Sequence, residues 1–282
     1  QGARRFARAR EQRLMPVLVN GRAGKLDPLD RGLQYGDGLF ETMAVRDGRA
    51  RFVEWHLARL AEGARRLALP LPDQDRLPGQ IAAAWPSGRG VVKLIWTRGP
   101  AGRGYRPQAA VEPTCIAAGF EWPAWPATAR SEGVRLRYCQ TRLGRNPMLA
   151  GIKHLNRLEQ VLARAEWDDE RIAEGLMLDD RGQVISGTQS NLFAVIAGQI
   201  VTPALDQCGV AGVMRRALCG WAADHVSAVV ECSLAPEELE TATEIFVTNA
   251  LIGAWPVREL AQRQVPAGPL AARFNSWLAG QE

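Results

Sequence analysis

Lysine is nearly absent from this chain. Of its 35 basic residues only Lys25, Lys93 and Lys153 are lysines, and all the others are arginines. A guanidinium stays protonated and does not act as an amine nucleophile, so any amine chemistry has three candidates. Histidine is equally scarce, and His56, His154 and His225 are too scattered to propose a metal site. The five cysteines, Cys115, Cys139, Cys208, Cys219 and Cys232, are odd in number and contain no C-x-x-C pair. That argues against a disulfide framework and points to buried thiols in a reducing cytoplasm. No apolar run approaches the ~20 residues of a membrane-spanning helix. Walker loops, G-x-G-x-x-G and G-x-S-x-G are missing as well, so the common nucleotide-binding and serine-hydrolase signatures do not apply. Excess charge is missing from the body of the chain: residues 1–14 carry +4 of the formal +5, which argues against a phosphate-backbone binder.

Among the three lysines, Lys153 has the surroundings of a reactive amine. Residues 134–141 read as a strand, and Gly144, Pro147 and Gly151 mark a loop. From Ile152 onward Leu155, Leu158, Val161, Leu162 and Ala165 recur at the steps of a helix with one buried face. This pattern predicts that Lys153 sits in the first helical turn, off the buried stripe. Unpaired N–H groups and the positive dipole end there disfavour an ammonium, and the resulting free amine is a nucleophile able to form Schiff bases. On position alone, a solvated helix-start lysine is the alternative. Lys25 lies in a Gly-rich turn, and Lys93, in a strand over 91–96, reads as a side chain snorkelling to solvent.

The length and the 46% hydrophobic content suit an α/β (α+β) protein of one large or two medium domains. Residues 1–14 lack the apolar core of a secretory signal and read as a disordered or added tail, with Met15 as a natural start. Residues 15–120 read as a small N-terminal α/β domain. It begins with a strand over 16–21 and a bend holding Gly32, Gly36 and Gly38, and continues with a hairpin over 39–46 and 49–53. Helices over 54–67 and 74–85 and strands over 91–97 and 113–120 complete it. Residues 121–130, with two prolines and two tryptophans, form a stiff connector. Residues 131–282 read as a larger C-terminal α/β domain carrying Lys153. Strands are expected there over 175–179, 183–186, 191–196, 199–202, 228–232 and 244–248, with a helix ending near His225 and an acidic helix over 236–240.

Two stretches invite ligands. Gly209 and Gly212 precede the helix that ends near His225 and leave bare N–H groups at its positive end, a cradle for phosphate to which Thr248 and Asn249 add donors. Arg98, Arg103, Tyr105 and Arg106 share a Gly-rich loop suited to a ligand bearing carboxylates.

A Schiff-base lysine with a phosphate cradle is what pyridoxal 5′-phosphate requires, and the residues carry a resemblance as well. From about Val17 to near the C-terminus the chain resembles the fold-type IV pyridoxal-phosphate enzymes, which include branched-chain and D-amino-acid aminotransferases. Six segments carry it: Asp30-Arg-Gly-Leu-Gln-Tyr-Gly-Asp-Gly-Leu-Phe-Glu41, Glu54-Trp-His-Leu-Ala-Arg-Leu60, Arg98-Gly-Pro-Ala-Gly-Arg-Gly-Tyr105, 144–160, Ser190-Asn-Leu-Phe193 and Gly209-Val-Ala-Gly-Val-Met-Arg215. The long block around Lys153 is closest to the aminodeoxychorismate lyases of that group.

The resemblance implies two α/β domains joined by a short interdomain loop and a homodimer with its site at the subunit interface. It makes Lys153 the cofactor lysine, Arg59 a phosphate ligand, and Gly212, Val213, Met214, Thr248 and Asn249 the remaining phosphate contacts. Tyr35, Phe40, Arg103 and Tyr105 are implied at the substrate, the Arg103 loop being the one that reaches a neighbouring subunit in related aminotransferases. Phe40 stands where D-amino-acid aminotransferases have tyrosine. Ser186 replaces the family's glutamate beside the pyridine nitrogen; a hydroxyl keeps that nitrogen less protonated, which weakens the ring as an electron sink. Both differences lean toward a lyase acting on 4-amino-4-deoxychorismate, ahead of an aminotransferase or a catalytically silent homologue that binds the cofactor.

Overall fold

The computed structural model describes residues 17–108 and 111–281, so the expected tail and Met15 lie outside the described residues. The turn at Asp47 and Gly48, both at positive φ, joins β3 (Gly38–Arg46) to β4 (Arg49–Ala50) as a hairpin. With β1 (Leu18–Val19), β2 (Arg22–Ala23), β5 (Arg89–Thr97) and β6 (Thr114–Glu121) these make a six-stranded sheet ordered β2-β1-β6-β5-β3-β4. Helix α1 (Arg31–Tyr35) leads into β3, while α2 (Val53–Arg66) and α3 (Leu77–Ala84) cover one face of the sheet. Alternation along β3 sends Leu39, Met43 and Val45 to that covered face, where they meet Leu57, Leu60, Leu77 and Ile81.

Past the short helix α4 (Thr128–Ser131) lies a second sheet, of nine strands. Its strands are β7 (Val134–Leu143), β8 (Ile172–Asp179), β9 (Val184–Gly187), β10 (Asn191–Ile196), β11 (Gln199–Pro203), β12 (Val230–Cys232), β13 (Glu244–Asn249), β14 (Gly253–Leu260) and β15 (Arg263–Gln264). The order is β12-β11-β10-β13-β14-β7-β8-β9, with β15 on β14. Both faces of its centre are covered, which explains the unbroken apolar runs of β10 and β13. Leu192, Ile245 and Val247 point into one core; Phe193 and Phe246 point into another, beneath α6 (Val213–His225) and α7 (Leu270–Ala279). The two-domain α+β architecture is therefore as the sequence implies.

The structure departs from the expected elements in three places. The helix after Lys153 is only α5 (Leu158–Arg164), and its expected buried face is largely in solvent, Leu158, Val161 and Leu162 being 77%, 60% and 62% exposed. The acidic helix is a single 3-10 turn, Glu238–Thr241. Two long elements, β14 and α7, lie in sequence left unassigned. Pro256 hides β14 by interrupting a strand-like run, and it sits beside the irregularity at Val257 and Glu259 in the β7 pairing. Leu270, Phe274 and Leu278, one turn apart, are the legible signal of α7.

One buried carboxylate organises the turn between β9 and β10. Glu174 accepts hydrogen bonds from Gly175 N, Thr188 N, Thr188 Oγ1, Gln189 N and Ser190 Oγ. Truncation would orphan these donors, at about 1–3 kcal/mol for each that water cannot reach. Glu174→Ala should therefore lower unfolding free energy by at least about 3 kcal/mol in denaturant melts. Glu174→Gln, which keeps one acceptor oxygen, should cost less. An unchanged midpoint for Glu174→Ala would refute the assignment.

Candidate active site

Lys153 is held in extended backbone and not in a helix. Gly151, at φ +78, donates to Gly209 O and accepts from Ala211 N, which ties this stretch to the approach to α6. On the other side Phe40 N donates to Lys153 O and Leu155 N to Gly38 O, both at 3.0 Å. These cross-links to β3 occupy the groups an α-helix would need, so α5 starts five residues beyond the lysine. The expected role of a helix dipole at Lys153 is thus overturned. The amine loses its proton for other reasons: burial first, then the charge of Arg59, with Arg157 and Lys93 adding to it and Glu41 opposing, bring its pKa down to about 7. Its Nζ lies 4.3 Å from the centre of the Phe40 ring.

Arg59, one turn past His56 on α2, is clamped by Glu41 of β3. Its Nε donates to Glu41 Oε1 at 2.8 Å, Nη2 bonds the other oxygen, and Nη1 donates to Ala211 O at 2.8 Å. His56 Nδ1 reaches Glu41 Oε2 at 2.6 Å. Burial alone would raise the Glu41 carboxyl, but Arg59 and His56 outweigh it and hold it down at about 2. Burial keeps His56 below its usual range, hence neutral. This arrangement fixes the guanidinium beside the start of α6.

There the residues fit pyridoxal phosphate. Among the described residues no side chain caps α6, whose N-cap is Gly212 and whose first residues are Val213 and Met214, so the first-turn N–H groups stand free. A Cβ on Gly212 would fall 2.1 Å from Asn191 Oδ1. Thr248, paired across the sheet with Asn191, is fully buried with no partner for its Oγ1. A bound phosphate would satisfy the free N–H groups and the Thr248 hydroxyl, while Gly212 is required by the close approach of Asn191. The Asn249 side chain also serves its own turn: its Oδ1 accepts from Leu251 N and Ile252 N, and its Nδ2 donates to Gln189 O. Ser186 is buried, with its Oγ donating to Gly187 O at 2.9 Å. The nearby carboxylate of Glu174 is saturated by its own loop.

The loop residues divide. Arg98, expected to await a ligand carboxylate, is structural: it is buried, binds both oxygens of Asp37 and donates to Leu67 O and Ala68 O. Arg103 and Tyr105 are exposed, and Tyr105 rests edge-on against Tyr35 with ring centres 5.4 Å apart. No contact among the described residues joins Arg103 to Lys153 of the same chain. Lys93 is half-buried, and its Nζ lies 5.1 Å from the centre of the Phe40 ring, which Lys153 also approaches. Sequence reasoning missed Glu41 and His56. The signal was a carboxylate in the buried phase of β3, which demands a cationic partner.

Comparison with known proteins agrees with this geometry. A profile of the family described as amino-transferase class IV matches residues 38–260. An aminodeoxychorismate lyase of Vibrio harveyi is 35% identical over 263 residues, covering 91% of this chain and 97% of the relative. The crystal structure of 4-amino-4-deoxychorismate lyase from Pseudomonas aeruginosa superposes with a TM-score of 0.89 at 48% identity, covering 94% and 98% of the two chains. A branched-chain amino acid aminotransferase of Escherichia coli shares the fold, with a TM-score of 0.85 at 24% identity over 95% and 94%.

The buried amine has a thermodynamic signature. Between about 7 and the 10.5 of an ordinary lysine, the unfolded chain holds a proton on Lys153 that the folded chain does not. Stability of the cofactor-free protein should rise with pH across that window and carry no Lys153 contribution to its slope below it. Lys153→Met should flatten this rise in melts at successive pH values. A wild-type slope that survives the substitution would count against the buried neutral amine.

Proposed function

The chain belongs to the amino-transferase class IV family and takes that family's cofactor, pyridoxal 5′-phosphate, and we propose that it is a lyase converting 4-amino-4-deoxychorismate to 4-aminobenzoate and pyruvate, a step toward folate. The observation that carries this reading is the half-buried, readily deprotonated Lys153 amine beside Phe40 and Arg59, close to an uncapped helix start. Similarity to two lyases over nearly the whole chain supports it further.

When bound, the cofactor supplies an aldehyde that condenses with amines and a ring that accepts electrons. Arg59, held by Glu41 and Ala211, would anchor the phosphate together with the N–H groups of Val213 and Met214 and the hydroxyl of Thr248. Lys153 first uses its amine to hold the cofactor. Once the substrate's amine has taken that place, Lys153 Nζ removes the proton from the amine-bearing carbon. Loss of the enolpyruvyl group as pyruvate then leaves an aromatic ring, a driving force that demands little from the cofactor's electron sink. Ser186 suits that low demand, because it places a hydroxyl where a carboxylate would keep the pyridine nitrogen charged.

The site is completed by a second copy of the chain in this proposal. The exposed apolar residues Met148, Leu158, Val161 and Leu162 support a subunit interface, and exposed Arg103 and Tyr105 are free to serve the partner's substrate carboxylate. Five free thiols support a reducing, cytoplasmic setting.

Incubation with 4-amino-4-deoxychorismate should release equal amounts of 4-aminobenzoate and pyruvate, and borohydride should fix the cofactor to Lys153. Exchange of amino groups with keto acids and no 4-aminobenzoate would make the protein an aminotransferase. Cofactor binding without turnover of either kind would make it a silent homologue.

Ser186→Glu adds a carboxylate that raises the proton affinity of the pyridine nitrogen. It should increase side transamination relative to lyase turnover, whereas Ser186→Ala should cost lyase turnover about 1 kcal/mol. A product ratio unmoved by Ser186→Glu defeats the role given to Ser186.

A further inference from the structure

Resting on the lyase reading, the question is which side chain of this chain receives a carboxylate of the substrate, since both the ring and the enolpyruvyl group bear one. A receptor should be a cation that the fold leaves without an anion. Most arginines around the site fail this requirement. Arg59 is committed to the phosphate in that reading and is clamped by Glu41 and Ala211 O, and Arg31 and Arg98 are taken by Asp37 and backbone carbonyls. Arg66 is taken by the carbonyls of Pro147, Met148 and Ala150.

Arg157 is the exception. It is partly buried, yet among the described residues it makes no ion pair and bonds to no carbonyl. Its Nη2 meets only the ring of His154, at 2.5 Å from Nε2 and 3.0 Å from Nδ1, and its Nε is buried without a partner. Burial and Arg157 itself hold His154 down at about 4, so the ring is neutral and supplies no countercharge. The acid next in sequence but one, Glu159, attracts Arg157 electrostatically but gives its Oε1 to Gly144 N. A desolvated guanidinium held in this way is costly to the fold unless something outside the chain compensates it.

Its position suits that role. On one side Arg157 is close enough to Lys153 for its charge to help strip the amine of its proton. On the other its Nη2 meets the ring of His154, the residue next to Lys153, and through that ring it adjoins, without lining, a cavity of about 270 Å³ bounded by His154, Asn156, Tyr35 and Tyr105. We propose that Arg157 is a substrate-binding residue whose guanidinium receives one carboxylate of the substrate and so turns the amine-bearing carbon toward Lys153 Nζ. A carboxylate on Arg157 also cancels its repulsion of a proton on Lys153, so the base strengthens as substrate arrives.

Chorismate is the probe, because it has the same two carboxylates with a hydroxyl where the substrate has its amine and so cannot react with the cofactor. In calorimetric titration of the holoenzyme, Arg157→Gln should weaken chorismate binding at least about tenfold, as expected for loss of a charge-assisted pair, and Arg157→Lys should recover part of it. The KM for 4-amino-4-deoxychorismate should rise by a similar factor, while cofactor retention is unchanged. Because no internal ion pair is broken, Tm of Arg157→Gln should be no lower than that of the wild type. Equal chorismate affinity in wild type and Arg157→Gln overturns the assignment while wild-type turnover still supports the lyase. A fall in Tm with loss of cofactor overturns it in favour of a structural role. A wild type that releases no 4-aminobenzoate removes the lyase reading, and if it binds no chorismate either, the assignment falls too.

Discussion

A half-buried site that already holds one arginine does not readily hold a charged lysine as well, and the surroundings of Lys153 follow from that constraint. Arg59 must stay charged to be useful to a phosphate, and Glu41 lies where it neutralises Arg59 more directly than it neutralises Lys153. The lysine is therefore the group that gives up its proton. Glu41 is needed for this division, because without it two cations would face each other in low dielectric. His56, itself neutral, completes the solvation of the Glu41 carboxylate and fixes which way it points.

The fold serves the same end by cross-linking its two sheets at the lysine. Residues 151–155 act as an unclassified strand between them, bonded to β3 on one side and to the approach to α6 on the other. Phe40 thus comes from the first sheet, the phosphate cradle from the second, and Lys153 lies between. A half-buried carboxylate, Asp37, pairs with both Arg31 and Arg98 and sets the path of the loop that carries Arg103 and Tyr105. Arg98 and Arg103 are five residues apart and similar in sequence context, yet one braces the loop and the other stands free.

The fold is shared with the branched-chain aminotransferase of Escherichia coli at a TM-score of 0.85, so the scaffold alone does not select a reaction. In the proposed reading the reaction is set by single side chains on that backbone: Ser186 would leave no charge beside the cofactor ring, and Arg157, which has no anion among the described residues, would receive a substrate carboxylate.

Much of this was legible in the sequence because it is local. Three lysines limited the candidate amines, glycines ahead of a helix marked its uncapped start, and alternation in the strands revealed both sheets. The bend at Gly36, with φ +66, is local too, whereas Gly38 is required by a distant neighbour, since a Cβ there would strike Trp96 O. What the sequence could not show depends on partners far along the chain. The spacing after Ile152 is helical, yet 152–155 are extended, because β3 takes their hydrogen bonds; the apolar stripe beyond them is real but exposed in the single chain. Arg98, Arg103 and Arg157 look interchangeable as letters. Only the tertiary structure assigned the first to Asp37, left the second in solvent and left the third without an anion, because a guanidinium's role is set by the acceptors the fold brings within reach.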